Sequence, residues 1–280
     1  MLQMIRERWR QGFRTGKFPK EEPILPPRFR GLPQFAGECP PDCDRACEVL
    51  CPFSACKSVD GRLVLDLGRC LFCADCPACP QGRITFGNDY RLAVRQRQDL
   101  LYSGGEYPLA QPLEPERLKL FGRSLKLRQV SAGGCNGCEA DCNVLGTLVF
   151  DLGRFGIQFV ASPRHADGLL LTGPVTENMR SAVLATYEAM PAPKIVIAGG
   201  ACGINGGPFL HSSEVSPGLD PLLPVDLYIP GCPPHPYTIL DGLLRLLDRR
   251  ELSSSTASAL EYGESISFAH LRRGGTVTNK

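Results

Sequence analysis

Cysteine is the residue that most constrains this chain, because its fourteen copies are distributed very unevenly. Nine of them lie between Cys39 and Cys79, and the other five are spread from Cys135 to Cys232. The first residues, MLQMIRERWRQGF, contain no uninterrupted apolar stretch of the kind that a secretion signal needs, so we expect a reducing compartment. In such a compartment the cysteines favour metal ligation over a disulfide scaffold.

The uneven distribution predicts the domain organisation. Clustered ligands can build a metal site from a loop, whereas dispersed ligands need a fold to bring them together. We therefore expect a small cysteine-rich domain over residues 36–95 and a larger domain over residues 124–250. Residues 96–123 are rich in Gly and Pro and predict a linker. Residues 1–35 predict a basic, amphipathic and proline-rich arm, and residues 251–280 predict a polar tail.

The arm begins with an amphipathic pattern. Leu2, Ile5 and Trp9 fall at helical spacing among several arginines. Two interpretations remain open: a helix packed on a partner or on this protein's own surface, and an anchor at a membrane surface.

Several function classes are excluded by what the sequence lacks. The formal net charge is only +2, so no strong field favours a nucleic-acid partner. No phosphate-binding loop and no glycine-rich dinucleotide motif occurs, and no Ser/His/Asp order indicates hydrolysis. The longest apolar stretch, Ile195 to Ile204, is about half the length that a membrane span needs. We expect no substrate chemistry on the isolated chain.

The cysteine-rich segment contains two runs of four cysteines, and each run ends in Cys-Pro. This arrangement is typical of bacterial ferredoxins with two [4Fe–4S] clusters, in which three cysteines of one run and the last cysteine of the other hold each cluster. The pattern predicts a first cluster, called cluster 1, held by Cys39, Cys43, Cys47 and Cys79. It predicts a second, called cluster 2, held by Cys51, Cys70, Cys73 and Cys76.

The spacings of the two runs depart from the ferredoxin pattern C-x2-C-x2-C-x3-C-P. The first run has three residues between successive cysteines throughout, and the second closes with two. A pair of zinc ribbons is the alternative, but no histidine lies nearby and zinc rarely uses eight thiols in two such runs. Cys56 is a ninth thiol, which we expect to pack in the core rather than to bind metal.

After residue 124 strand and helix patterns alternate, which predicts a parallel sheet with helices on both faces. The predicted strands are LKLRQV, IQFVAS, ADGLLLTG, KIVIAGG and VDLYIPG. The predicted helices are a face marked by Leu145, Leu148, Val149 and Leu152, the segment PVTENMRSAVLATYEAM opened by Pro174, and PYTILDGLLRLLDRR.

Four dispersed cysteines follow the carboxyl ends of predicted strands, where open α/β sheets bind ligands. We call them the sheet-edge cysteines: Cys135, Cys138, Cys202 and Cys232. Four thiols that converge on one edge predict a single [4Fe–4S] cluster, and buried structural thiols are the alternative. Cys142, four residues after Cys138, is expected to pack.

Four segments of this region carry a resemblance: GGCNGCE, FGIQFVASPRHADGLLLTGPVTENM, PKIVIAGGACG and PVDLYIPGCPPHPYTIL. They resemble the small subunit of group 4 membrane-bound [NiFe] hydrogenases, of the formate hydrogenlyase and hydrogenase-4 type. They also resemble its relative, the cluster-bearing B subunit of complex I (NADH-quinone oxidoreductase). The resemblance covers residues 124–248, and residues 10–95 resemble the two-cluster ferredoxin component of the same complexes. The chain therefore looks like both components fused.

The resemblance implies a flavodoxin-like parallel sheet, preceded by a small α+β ferredoxin domain, with three [4Fe–4S] clusters in all. It implies that the cluster of the sheet-edge cysteines lies next to the active site of a separate large subunit. The implied partners are the large subunit of a [NiFe] hydrogenase or a protein like the D subunit of complex I, a further iron–sulfur electron donor, and, indirectly, integral membrane ion-pumping proteins. The implied location is the periphery of the inner membrane, on its cytoplasmic face.

The spacing Cys135-Asn-Gly-Cys138 favours the hydrogenase, because the complex I relative begins its cluster motif with adjacent cysteines. We therefore expect an electron-transfer subunit of a hydrogenase-type oxidoreductase. The alternatives are a quinone-linked or nickel-free relative and a non-redox scaffold stabilised by metal. Asp141 is a candidate proton relay or loop cap, His165 a candidate interface residue, and His235 a candidate hydrogen-bond partner of the cluster.

Overall fold

The computed structural model describes residues 2–12, 15–35, 47–59, 62–73, 76 and 84–250. Three predicted ligands of cluster 1, Cys39, Cys43 and Cys79, lie outside the described residues, as does the predicted tail. Within the described part of the chain, no helix combines the length and the apolar character needed to span a membrane.

The described residues include ten strands and six α-helices with both ends defined, and residues 47–50 are also helical. The strands are β1 (Pro33–Phe35), β2 (Cys56–Val59), β3 (Arg62–Asp66), β4 (Ile84–Phe86), β5 (Leu101–Tyr102), β6 (Leu125–Ser131), β7 (Ile157–Phe159), β8 (Gly168–Thr172), β9 (Ile195–Gly199) and β10 (Leu227–Ile229). The helices are α1 (Leu2–Gln11), α2 (Pro115–Phe121), α3 (Gly137–Val144), α4 (Glu177–Ala189), α5 (Gly200–Asn205) and α6 (Pro236–Leu246).

Strands β6 to β10 form one parallel sheet, in the order β7-β6-β8-β9-β10. Counted from β6, this order is 2-1-3-4-5, which is the flavodoxin-like arrangement of a doubly wound sheet. The five predicted strands and the predicted α/β fold class are confirmed.

Strands β8, β9 and β10 are buried on both faces, which explains why they are continuous apolar runs. Strand β6 instead alternates buried residues with exposed or half-buried ones. On one face Leu170 and Ile197 belong to a core that contains Leu240 and Leu243 of α6. The residues that flank Leu170 and Ile197 in their strands point to the opposite face. They belong to a second core, which contains Val183 of α4. The expectation of helices on both faces is confirmed.

The cysteine-rich part of the chain covers the second of these faces. Leu65 and Cys70 are buried in the same core as Val196 and Tyr228 of the sheet. Val94 also forms an antiparallel bridge with Tyr228. The amino-terminal part and the sheet therefore share one hydrophobic core instead of meeting only through a connecting segment.

Residues 96–123, which the sequence predicts as a linker, are packed against the rest of the chain. Strand β5 pairs with β3, which pairs with β2 in an antiparallel sheet. Tyr107, Leu113 and Phe121 are buried. Gly and Pro in this segment form turns between these buried residues. The segment is therefore packed on the protein and is not the linker that its composition suggests.

The arm also packs on the body of the protein. Strand β1 pairs antiparallel with β4. Phe18 is buried, and Arg154 donates hydrogen bonds to the carbonyl oxygens of Gly16 (2.6 Å) and Phe18 (2.8 Å). Helix α1, in contrast, contains no buried residue.

The predicted helix through Leu145, Leu148, Val149 and Leu152 is wrong. Helix α3 ends at Val144, and the chain then turns, with the amide of Leu152 bonded to the carbonyl of Leu145 at 3.0 Å. These two leucines are buried, whereas Leu148 and Val149 between them are exposed. The apparent helical spacing of these four residues therefore comes from a tight loop whose two end residues are buried. Similarly, α4 begins at Glu177 rather than at Pro174.

Candidate functional site

The four sheet-edge cysteines are placed by three strands of the parallel sheet. Cys135 follows β6, and Cys138 lies in the first turn of α3. Cys202 lies in α5, which starts directly after β9, and Cys232 follows β10. Because all three strands run in the same direction, their carboxyl ends bring these residues to one edge.

The side chains of these cysteines come together in space. Cys138 lies within electrostatic range of the thiols of Cys202 and Cys232. Cys202 in turn lies within range of Cys135 and Cys232. Cys232 also lies within range of Cys135. Each of the four thiols therefore has at least two of the others within range, so the fold brings the four predicted ligands together.

Two glycines leave room for the sulfur atoms. A Cβ added to Gly200 would stand 2.6 Å from Sγ of Cys138, and one added to Gly207 would stand 2.7 Å from Sγ of Cys202. Both glycines also have positive φ angles, 80° and 55°, which side-chain-bearing residues rarely adopt. At these two positions the absence of a side chain leaves space for the sulfur atoms.

The site has a buried half and an open half. Cys138 and Cys202 are buried, whereas Cys135 and Cys232 are exposed. Burial, followed by the charges of the neighbouring thiols Cys232 and Cys135, raises the pKa of Cys202 to about 12. Crowded thiolates repel one another, so charged sulfurs at this edge require a positive group between them.

The donor set fits a [4Fe–4S] cluster. Cysteine thiolates are its usual ligands, and each binds a different iron atom, so the sulfurs surround the cluster and do not meet at one point. Across the described residues, no group of three or more His, Cys, Asp or Glu side chains is arranged to hold a single metal ion.

Glu139 is a site residue that the sequence analysis missed. Its side chain is buried next to Cys138, and its Oε1 accepts a hydrogen bond from Oγ1 of Thr172 at 2.8 Å. Burial raises the pKa of Cys138 most, and the nearby charge of Glu139 adds to the effect. A glutamate directly after the second cysteine of the motif was the available signal.

The histidine and aspartate candidates take different positions. His235 and Asp141 line a cleft of about 290 Å³ beside Cys232, and desolvation lowers the pKa of His235 and raises that of Asp141. Nδ1 of His235 accepts a hydrogen bond from the amide of Tyr237 at 3.2 Å. His165 is exposed.

Cys142, the fifth of the dispersed cysteines, takes a different environment from the other four. It is buried in the apolar core that contains Leu240 and Leu243 of α6. Burial raises the pKa of its thiol to about 12. This is the environment expected of a packing residue.

A second group of thiols lies in the cysteine-rich part. One cavity is lined by five of them, together with apolar side chains: Cys47, Cys51, Cys56, Cys73 and Cys76. Cys70 lies beside the ligands predicted to share cluster 2 with it, and burial raises its pKa to about 12. The described ligands of cluster 2 are thus neighbours in space. For cluster 1, Cys47 alone is among the described residues.

Cys56 takes a position that the sequence analysis did not anticipate. It is buried, as expected, but it lines the same cavity as Cys51 and Cys76, and its thiol interacts with theirs. The hydrogen bond from Cys56 lowers the pKa of Cys51 to about 5, with burial opposing it.

The segments that carry the two groups of thiols are in direct contact. Gly68, two residues before Cys70, packs against α5, and a Cβ added to it would stand 2.8 Å from Cγ2 of Ile204. On another side, Arg30 donates a 2.7 Å hydrogen bond to the carbonyl of Phe72. The loop that carries Cys70 therefore touches the helix that carries Cys202.

Comparison with known proteins identifies relatives of the part that contains the sheet-edge cysteines. Residues 135–246 match the family model described as NADH ubiquinone oxidoreductase, 20 Kd subunit. The chain is 46% identical over 131 residues to a probable membrane-bound hydrogenase subunit, mbhJ, of Pyrococcus furiosus. The aligned region covers 47% of this chain and 78% of that protein.

Two further relatives represent the two kinds of complex. Formate hydrogenlyase subunit 7 of Escherichia coli is 49% identical over 130 residues, 46% of this chain and 51% of that protein. The B subunit of the NADH-quinone oxidoreductase of Heliobacterium modesticaldum is 40% identical over 134 residues, 48% of this chain and 75% of that protein. The chain thus spans about half the length of the Escherichia coli relative.

Proposed function

Because this chain belongs to the NADH ubiquinone oxidoreductase 20 Kd subunit family, we propose that it is the iron–sulfur electron-transfer subunit of a membrane-bound [NiFe] hydrogenase-type complex. It relays electrons between a redox donor and the active site of a separate large subunit. The observation that carries this proposal is the convergence of the sheet-edge cysteines at one edge of the sheet.

The sheet-edge cysteines are the proposed ligands of a [4Fe–4S] cluster, which supplies a one-electron relay when bound. Cys138 and Cys202 hold its protein-facing side, and the exposed Cys135 and Cys232 hold the side that faces outward. Glu139 is buried next to this group, and polar side chains beside a cluster tune its reduction potential. A cluster half open at the surface is suited to pass electrons to a protein that covers this edge.

The proposed route to this site runs through cluster 2. Its predicted ligand Cys70 lies in the core that the cysteine-rich part shares with the sheet, and Gly68 contacts Ile204 next to Cys202. A packed contact of this kind keeps the separation between the two groups short and fixed. Cluster 1, proposed at Cys39, Cys43, Cys47 and Cys79, would exchange electrons with a further iron–sulfur protein of the complex.

The choice of a hydrogenase rests on the spacing of the first two sheet-edge cysteines and on the relatives named above. The two residues between Cys135 and Cys138 are the hydrogenase-type spacing. The proposed partner is therefore a nickel–iron large subunit. A protein like the D subunit of complex I is the second candidate, because a B subunit of NADH-quinone oxidoreductase is also a relative. We propose that the complex lies at the cytoplasmic face of the membrane and that this chain is attached there through its partners.

The test uses the complex purified anaerobically with the full chain. Cys202→Ala is expected to abolish H2 oxidation with an artificial acceptor and to remove about four irons per chain, while nickel in the large subunit is retained. Cys142→Ala is the matched control, since it removes a neighbouring buried thiol, and it is expected to keep activity and iron. Wild-type iron in Cys202→Ala would refute the ligand assignment. A wild-type complex with iron but no nickel would point to the quinone-linked relative.

A further inference from the structure

We propose that Cys56 is a spare ligand of cluster 2, able to bind the iron atom that Cys51 or Cys76 otherwise holds. The proposal rests on the proposed function, since it requires a cluster at these cysteines. It goes beyond the ferredoxin pattern, in which eight cysteines hold two clusters and a ninth has no part.

The first observation is that Cys56 is held rigidly. It is the first residue of β2 and pairs with Leu65 of β3, a residue with no exposed surface. The amide of Asp66 bonds to the carbonyl of Ala55 at 2.8 Å, which extends the pairing by one residue. Only 3% of Cys56 is exposed, so its thiol is fixed in the protein interior.

The second observation is the path of the chain from Cys51 to Cys56. The amide of Ser54 bonds to the carbonyl of Cys51 at 3.1 Å, and Ser54 has a φ of 51°, which reverses the chain. The amide of Ala55 then donates a 3.3 Å hydrogen bond to the sulfur of Cys51. This turn brings Cys56 back beside Cys51.

The third observation is what the thiol of Cys56 touches. It lies beside the thiols of both Cys51 and Cys76, which come from different runs of the ferredoxin pattern. All three line one cavity. A thiol at this position adds a third soft donor beside the two predicted ligands, which an apolar side chain would not supply.

The exchange needs no oxidant or reductant. During cluster assembly in a chain that lacks Cys51, the thiol of Cys56 loses its proton to solvent, and its sulfur forms the Fe–S bond that Cys51 would have formed. The iron keeps its oxidation state, and the cluster keeps four thiolate ligands. In the unmodified chain Cys56 remains a neighbour of the cluster.

The experiment compares single and double variants in the anaerobically purified complex, by iron and sulfide content and by EPR after dithionite reduction. Cys51→Ala is expected to keep the wild-type iron content, with a changed EPR signal for cluster 2. Cys51→Ala combined with Cys56→Ala is expected to lose about four irons per chain. Cys51→Ala combined with Cys142→Ala is the matched control, because it removes a buried thiol elsewhere, and it is expected to behave as Cys51→Ala. Cys76→Ala with and without Cys56→Ala provides the same comparison if Cys51→Ala does not assemble.

The opposite results overturn the proposal. Loss of about four irons in both Cys51→Ala and Cys76→Ala, with Cys56 present, would show that Cys56 does not replace either ligand. Retention of iron in the Cys51→Ala/Cys56→Ala chain would show that another group does. In both cases the wild-type chain still holds its clusters, so the proposed function stands. A wild-type chain without ferredoxin clusters would remove both this proposal and the proposed electron route.

Discussion

Gly200 and Cys138 are 62 residues apart in the chain, yet the sulfur of Cys138 lies 2.6 Å from the position that a Cβ on Gly200 would take. Strands β6 and β9 bring the two residues to the same edge of the sheet, and the absence of a side chain at position 200 leaves room for the sulfur. The relationship links the fold directly to the geometry of the thiol site.

Gly200→Ala is therefore expected to displace Cys138 and to remove about four irons per chain. The backbone adds a penalty of about 1–2 kcal/mol, because φ at this position is 80°. Gly105→Ala is the matched control: Gly105 also has a positive φ, 87°, but a Cβ there meets nothing within 4 Å. Iron analysis of both variants checks the prediction, and equal iron contents would contradict it.

A buried ion pair beneath the sheet is expected to matter for stability. Arg245 and Asp241 are each 1% exposed, and Nε of Arg245 lies 2.8 Å from Oδ2 of Asp241. Arg245→Ala removes this partner and is expected to cost about 3 kcal/mol of unfolding free energy, the lower end for a broken buried pair, because Arg250 still lies 3.0 Å from Oδ1. Arg180→Ala, which breaks a half-exposed pair with Glu177, is expected to cost less than about 1 kcal/mol. Thermal unfolding of the two variants measures the difference, and similar losses would contradict the prediction.

The effect of Arg245→Ala is also expected to depend on pH. Burial raises the pKa of Asp241 above its unfolded value, and Arg245 opposes this shift. Without Arg245 the pKa of Asp241 rises further, so the buried carboxyl is protonated at low pH and costs the folded state little there. As the pH rises through this raised pKa, the carboxyl must ionise without its partner, and the folded state loses stability. The destabilisation by Arg245→Ala should therefore be smaller at about pH 5 than at about pH 8. A loss that is the same at both pH values would show that Asp241 does not titrate in this range.

The part of the arm around Gly16 and Phe18 is expected to open more often when Arg154 is removed. Arg154 donates two hydrogen bonds to the backbone of the arm, at Gly16 and Phe18. Loss of both hydrogen bonds lowers the free energy of opening this segment by at least about 1.4 kcal/mol. Because trypsin cleaves the open form, cleavage should be about tenfold faster. Limited trypsin digestion at Lys17 and Lys20 measures this in Arg154→Ala.

The control for this digestion is Arg164→Ala, which removes an arginine without a contact to the arm among the described hydrogen bonds. It is expected to be cleaved at the wild-type rate. Unchanged cleavage in Arg154→Ala would mean that other contacts hold the arm.

The sheet and its cysteines could be predicted because their signals are local. Runs such as Leu169–Leu171 are apolar on both sides, which is how a strand buried on both faces is recognised. Cys135, Cys202 and Cys232 follow such runs, so the direction of the strands placed them together without knowledge of any other contact.

The remaining features depend on contacts between distant parts of the chain. The core that Leu65 shares with Val196 joins segments more than a hundred residues apart, and composition alone suggested a linker between them. Leu148 and Val149 have helical spacing but lie in a loop whose shape is decided by its buried ends. The contact of Cys56 with Cys76 likewise follows from a hairpin and a turn, and no periodicity reports it.

Metal analysis of the anaerobically purified native complex, with EPR after dithionite reduction, tests the central claim most directly. The account predicts about twelve irons and about twelve sulfides per copy of this chain, beyond those of its partners, with reversible reduction and with nickel in a co-purifying protein. Zinc in place of iron, with no reversible reduction, would contradict it and would make the cysteines a structural scaffold.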